Sequence, residues 1–293
     1  MDSSRILIIG AAGQLGKALQ AKYPNARAVD RDSFDMTDQT VVEAYDWSQV
    51  DVILNAAAYT NVDGAETPEG RSAAWRINAT GPSYLSHVAA NHDITLVHVS
   101  SDYVFDGTQV PHTETEHLTP LSVYGASKAA GDLAVSLAPK HYILRTTWLI
   151  GDGPNFVRTM LSLADRGISP SVVADQIGRL TFTDTLVEAI NHLLSSDSPA
   201  GVYNVTGSGK SASWAEITRE IYRLAGHSDL PVTYTTTSEY FAGKIADGVA
   251  IALRPLQSEM DLTKLVTTGY TPADWHTDLS IYINNQRNTH QEA

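Results

Sequence analysis

The hydrophobic pattern of the first half alternates between two periods. Short runs rich in Ile, Leu and Val, "RILIIG" (5–10), "ARAVD" (26–30), "VDVILNAAA" (50–58), "DITLVHVSS" (93–101) and "HYILRTTWLIG" (141–151), read as buried strands. Between them, "QLGKALQAKY", "DQTVVEAYDW", "AAWRINATGPSYLSHVAAN" and "SKAAGDLAVSLA" place small and apolar residues at helical spacing. Strands alternating with helices predict βαβ units and a parallel sheet covered on both faces. After about residue 150 the rhythm loosens. "FVRTMLSLADRG", "TDTLVEAINHLLSSD" and "SWAEITREIYRLAGH" read as helices, "GVYNVTG" as a strand and "SVVADQIGRLTF" as short extended pieces. The expected architecture is α/β: a Rossmann-type, doubly wound parallel sheet over residues 1–150. A smaller α+β substrate lobe follows over 151–293, with some of its segments returning to the sheet. No Gly/Ser-rich linker separates the two, and only the last residues, "NNQRNTHQEA", look frayed.

The turn after the first strand carries the first chemistry. "RILIIGAAGQLGKAL" sets Gly10, Gly13 and Gly16 between a strand and a helix. That placement lets the backbone turn tightly and approach a diphosphate at the helix N-terminus. The spacing G-x-x-G-x-x-G differs from the G-x-G-x-x-G of many dehydrogenases and points to another subgroup of the fold. The second strand ends in Asp30 and Arg31. An acid here binds a ribose hydroxyl and favours NAD, whereas an arginine holds a 2′-phosphate and favours NADP. The pair leaves the choice open, with a slight tilt toward NADP. The three alanines of "LNAAAYT" (54–60) suit a flat cofactor lying close to the strand end, although tight strand–helix packing uses small residues too.

Tyr124 and Lys128 stand one helical turn apart and project on one face. A phenol in water ionises near pH 10, and an ammonium close by is expected to lower that value. Upstream, Ser100, Ser101 and Asp102 end the fourth strand, on the edge where open α/β sheets bind ligands. A serine hydroxyl there can steady the charge that develops on a carbonyl oxygen. A tyrosine–lysine pair alone is frequent by chance and describes a solvated helix face. After a glycine turn and a strand-end serine, in this order, it reads as catalytic machinery.

Composition narrows the setting. The formal net charge of −13 argues against nucleic-acid or anionic-membrane partners. Hydrophobic residues at 43% and charged residues at 18% are ordinary for a globular protein, so wholesale disorder is not expected. Cysteine is absent, which excludes disulfides and thiolate chemistry and is compatible with a reducing cytoplasm. Neither a secretory signal nor a membrane-length apolar run is recognised, so the expected location is cytoplasmic. The histidines show no metal-ligand spacing, so no metal site is expected. "GSGKSASW" lacks the first glycine of a P-loop, and Ser213 with Glu216 reads instead as a capping box.

Together these residues resemble the extended short-chain dehydrogenase/reductase superfamily. More narrowly, they are similar to the dTDP-4-dehydrorhamnose reductase family, through "GAAGQLG", "NAAAYTNVDGAE", "INATGP", "SSDYVFDG", "YGASKAAGD", "LRTTW" and "DQIGRLTFTDTL" in family order. The resemblance implies NAD(P)H-dependent reduction of the C4 ketone of a dTDP-linked 6-deoxyhexulose, with a catalytic set of Ser101, Tyr124 and Lys128. It implies that Gln14, Leu15, Asp35, Met36, Ala56, Ala57, Ala58 and Tyr59 line the cofactor, together with Tyr124 and Lys128. By the same resemblance Ser101, Asp102, Tyr124 and Trp148 contact the sugar nucleotide, and Arg254 lies near the substrate lobe. Two departures stand out. The family's usual threonine is Ser101 here, which keeps the hydroxyl. A first-helix glutamate that helps some members bind magnesium at a dimer interface is Ala18, so a metal-mediated dimer is not expected, leaving a monomer or a weak homodimer. A dTDP-sugar 3,5-epimerase is the implied functional partner. The same fold also serves nucleotide-sugar epimerases, dehydratases and a non-catalytic regulatory subunit, and these remain the alternatives.

Overall fold

The computed structural model describes residues 2–291. Its centre is a six-stranded sheet: β1 (Ile6–Ile9), β2 (Arg27–Val29), β3 (Val52–Asn55), β4 (Thr95–Ser101), β5 (His141–Thr146) and β6 (Gly201–Asn204). The order is β6-β5-β4-β3-β1-β2 and every pairing is parallel. All four residues of β1 are buried, because both faces of the sheet are covered. Ile6 and Ile8 pack on one side with Leu15 and Leu19 of α1 (Gln14–Lys22) and with Leu186 and Ile190 of α7 (Thr183–Ser195). Leu7 and Ile9 pack on the other with Val42 of α2 (Gln39–Ala44), Leu85 and Val88 of α4 (Gly81–Asn91) and Val135 of α5 (Val123–Val135). The strand order reverses between β1 and β3, which opens a crevice at their C-terminal ends.

The long helical stretch after β3 is not uniform. α3 (Pro68–Trp75) runs into α4 through a π-helical turn at Arg76–Thr80. The wide turn carries Asn78, whose side chain accepts from Tyr59 N–H at 2.8 Å and donates to Tyr59 O and to Ser127 Oγ. Helix α5 lies tight against it: a Cβ at Gly131 would sit 2.1 Å from Asn78 O. Residue 131 must therefore lack a side chain for Tyr124 and Lys128 to reach the sheet.

The later residues divide. α7 and β6 complete the central sheet, while α6 (Phe156–Asp165), α8 (Trp214–Leu224), α9 (Thr237–Ala246) and short strand pairs build a second lobe. The apolar centre of that lobe joins Val157, Leu161, Ile217 and Ile221 to Trp275, Leu279 and Ile283. α8 begins with the expected capping box of Ser213 and Glu216. α10 (Thr263–Thr267) presses Leu265 against the sheet core. α11 (Trp275–Gln291) is helical through Gln291, so residues 284–291 are not frayed as the sequence suggests; residues 292 and 293 lie outside the described chain. The buried stripe of Trp275, Leu279 and Ile283 anchors that helix. Among the described residues no helix is long and apolar enough to cross a membrane.

Candidate active site

One cleft of about 810 Å³ opens along the C-terminal edge of the sheet and reaches the second lobe. Its floor is the glycine turn. Gly10 adopts φ +87°, and a Cβ there would sit 2.6 Å from Ala57 N, so only glycine lets β1 turn against the end of β3. Gly13 is the N-cap of α1 and offers no side chain to the first helical N–H groups, leaving that positive end open to an anion. Gly10, Gly13, Gln14 and Leu15 line the cleft, as do Ala56, Ala57 and Ala58. Gly16 does not: it packs under the turn, where a Cβ would meet Gly10 O at 2.1 Å.

The end of β2 forms the next wall, from Asp30, Arg31, Asp35 and Met36. The Asp30 carboxylate is occupied by its own turn, accepting from Asp32 N–H and from the Ser33 hydroxyl. Asp35 is held below the usual carboxylate range by hydrogen bonds from Thr37, with Arg31 and Arg76 contributing. Arg76, on the π turn, also lines this wall and donates to Thr37 Oγ1 at 2.9 Å. The sequence reading missed it; the π turn that aims it has no signal in "AAWRINATGP". Tyr59 leaves the cleft, since its backbone is tied to Asn78 and its hydroxyl lies over Gly70.

Ser101, Asp102, Tyr124 and Lys128 meet at the middle of the cleft. α5 begins at Ser122, whose side chain accepts from Gly125 N–H, and this cap sets Tyr124 and Lys128 facing the end of β4. Ser101 Oγ donates to Asp102 Oδ1 at 3.0 Å and accepts from Tyr103 N–H. Lys128 Nζ donates to Val99 O at 2.6 Å and is almost wholly buried. Burial pushes the Lys128 amine down to about 8, against an opposing pull from Asp132. Asp132 itself is salt-bridged to Arg145 at 3.0 Å, with both side chains buried.

The expected lowering of the tyrosine by its lysine is not what the structure gives. Burial dominates and pushes the Tyr124 phenol up to about 12; a hydrogen bond with Ser101 draws it down, and Asp102 and Asp132 push it up. For a proton donor this is the useful direction. The phenol keeps its proton at neutral pH until a stronger base, such as a nascent alkoxide, appears beside it.

Trp148 stands at the lobe junction with φ +49°, uncommon for a residue bearing a large side chain. Its ring stacks on Trp214 at 3.8 Å, and Gly178 leaves room for it, since a Cβ there would sit 3.0 Å from the indole. Trp214 and Gly178 were not singled out from the sequence, where each belongs to an ordinary helix or turn pattern. Arg254 does not line the cleft. It forks onto Asp63 at 2.8 and 2.9 Å and stacks over Phe241, tying the second lobe to the loop after β3.

The residues fit a dinucleotide on their own evidence. Gln14 Oε1 and Thr146 Oγ1 are buried without hydrogen-bond partners in side chains that line the cleft, beside an uncapped helix end and a turn of glycine and alanine alone. Among the described residues no group of three His, Asp or Glu side chains is arranged to hold a metal ion.

A doubly wound parallel sheet, a glycine turn under a cleft, and a serine, tyrosine and lysine gathered at its centre define a protein of the short-chain dehydrogenase/reductase class. Comparison with known proteins narrows this. The chain belongs to the family of the RmlD substrate binding domain, whose match spans residues 4–288. It is 38% identical over 291 residues to a dTDP-4-dehydrorhamnose reductase of Aggregatibacter actinomycetemcomitans, covering 93% of this chain and 96% of that protein. The crystal structure of a dTDP-4-dehydrorhamnose reductase from Clostridium acetobutylicum superposes with a TM-score of 0.87 at 36% identity, covering 96% of this chain and 99% of that one. That of the Bacillus anthracis dTDP-4-dehydrorhamnose reductase in complex with NADP gives 0.85 at 34% identity, covering 96% and 98%.

Proposed function

We propose that this protein is an NADPH-dependent reductase that converts the C4 ketone of dTDP-4-dehydro-L-rhamnose to the alcohol of dTDP-L-rhamnose, the last step of that sugar nucleotide's synthesis. The observation that carries the reading is that Ser101, Tyr124 and Lys128 share one cleft with the glycine turn. The near full-length identity to a dTDP-4-dehydrorhamnose reductase supplies the substrate class. NADPH, when bound, supplies the hydride to C4. Ser101 Oγ, turning its one proton from Asp102 to the ketone oxygen when substrate binds, steadies the negative charge that grows there. Tyr124 gives its phenolic proton to that oxygen, and Lys128 holds the ribose beside the tyrosine. Asp102 orients Ser101, and Trp148 packs against the sugar. Arg31 and Arg76 on the β2 wall favour a 2′-phosphate, while Asp30 is engaged in its own turn, so NADPH is preferred to NADH.

In this reading residues 1–150 bind the dinucleotide and residues 151–293 mainly hold the nucleotide sugar, apart from α7 and β6. Arg254 acts by bracing the lobe through Asp63 rather than by touching the sugar. The protein works in the cytoplasm as a monomer or weak homodimer, on a ketone delivered by a dTDP-sugar 3,5-epimerase. The test follows nicotinamide absorbance with dTDP-4-keto-6-deoxyglucose, a 3,5-epimerase and either coenzyme. Steady NADPH oxidation yielding dTDP-rhamnose is expected from the parent and not from Tyr124→Phe. Tight coenzyme binding without oxidation by the parent would overturn the reading.

A further inference from the structure

Beneath the cleft, His98 on β4 lies fully buried between Asn55 on β3 and Lys128 on α5. Asn55 Nδ2 is 3.1 Å from His98 Nδ1, and His98 Nε2 is 3.4 Å from Lys128 Nζ. The orientation of the asparagine is decided by its other end, because Asn55 Oδ1 accepts from Ala57 N–H at 3.2 Å. Reversing the amide would set an NH2 group against that N–H, donor against donor. Asn55 therefore donates to His98 Nδ1, which must be the unprotonated nitrogen. The ring is neutral, since burial and the neighbouring lysine push it well below the usual imidazole range. Its single proton is then on Nε2, the atom that faces Lys128.

We propose that His98, locked by Asn55 with its proton on Nε2, is a positioning residue that presents an N–H to Lys128 and so favours the neutral amine over the ammonium. An ammonium at this place has three N–H donors and meets a fourth. An amine has a lone pair for His98 Nε2–H and still donates to Val99 O, the bond of 2.6 Å seen here. The other groups around Lys128 do not reproduce the effect. Asp132, one turn along α5, favours the ammonium; it is itself neutralised by Arg145 on β5. Tyr124, one turn back, is an uncharged phenol, and Asp102 acts on Tyr124. The chain of contacts also runs from Ala57 in the coenzyme wall through Asn55 and His98 to Lys128, so the cleft floor and the lysine are held in one register. In the reductase reading, on which this consequence rests, a lysine that exchanges its proton near neutral pH can help restore the proton that Tyr124 gives away.

The test is made on the intact protein without coenzyme or substrate, so that it stands apart from the reductase reading. Nitrogen-15 spectroscopy of labelled histidine should show a one-bond N–H for His98 on Nε2 only. The titration of Lys128, followed through its labelled Cε and assigned with Lys128→Arg, should keep its midpoint in His98→Gln, whose amide can accept from Asn55 and donate to the amine. In His98→Leu the proton affinity of Lys128 should rise at least about threefold. In a separate assay with coenzyme and substrate, the alkaline limb of NADPH oxidation should move with it in the same variants. An N–H on Nδ1, or one midpoint shared by the parent and His98→Leu, would overturn the proposal. A correct tautomer and titration in a protein that oxidises no NADPH would leave this inference standing and remove the reductase reading instead.

Discussion

The Ser258 hydroxyl donates to the buried Asp102 carboxylate at 2.6 Å, joining the end of β4 to a segment 156 residues later. The same carboxylate accepts from Ser101 Oγ, so the serine at the centre of the site is oriented through a group that the second lobe completes.

Ser258→Ala should therefore impair catalysis without touching the coenzyme wall. Asp102 is pushed up by burial, and hydrogen bonds from Ser258 first, then Ser101 and Thr147, draw it part of the way back. Losing one leaves a buried acceptor short of a partner, a cost of about 1–3 kcal/mol. We expect kcat/KM for the sugar nucleotide to fall roughly tenfold at unchanged NADPH affinity, read by steady-state kinetics and fluorescence titration.

Tyr124→Phe should lower kcat by roughly 10²–10⁴ and leave NADPH binding intact, because it removes the proton donor and little else. The parent phenol, raised to about 12, stays protonated across the working range. Loss of activity on raising the pH through 8 should therefore follow Lys128, whose amine loses its proton there, and should precede any ionisation of Tyr124. A single alkaline limb near 10 in the profile of kcat/KM would contradict this assignment.

Arg31→Ala and Arg76→Ala should weaken NADPH far more than NADH. Both side chains line the β2 wall, and a charge-assisted hydrogen bond to a phosphate contributes about 1.5–3 kcal/mol. The double variant should raise the NADPH Kd at least about tenfold and change the NADH Kd little. Equal weakening of both coenzymes would place the arginines away from the 2′-phosphate.

Lys128→Met should stabilise the fold while abolishing activity. The Lys128 amine is pushed from its ordinary value of 10.5 down to about 8, so below pH 8 the unfolded chain holds this proton more tightly than the folded one. That difference costs the native state roughly 3 kcal/mol at pH 7 and fades as the pH rises from 8 to 10.5. A buried methionine has no such cost. Calorimetry at pH 7 should show a higher Tm by a few degrees, with the gap closing toward pH 10; a variant less stable than the parent at every pH would refute the account.

Local chemistry accounts for what could be read along the chain. The short continuous runs of Ile, Leu and Val specify buried parallel strands, and Gly10 and Gly16 mark a turn with no room for a side chain at either position. The four-residue spacing of Tyr124 and Lys128 places them on one helix face whatever surrounds them. Ser213 and Glu216 likewise declare a helix start within four residues. Each of these depends only on neighbours along the chain, so all are legible without the fold.

Tertiary packing decided the rest. Whether Tyr124 is lowered by its lysine or raised by burial depends on the solvent removed from around it, which no spacing reports. Asn78 and Arg76 take their roles from a π turn that forms where α5 presses on α4, and their motif looks like plain helix. Arg254 is held outside the cleft by Asp63, a partner 191 residues away. His98 looks like an ordinary strand residue until Asn55 and Lys128 close on its two nitrogens. Contacts between residues far apart in the chain fix desolvation and hydrogen-bond direction, and these two quantities decide which proton each group in the cleft can hold.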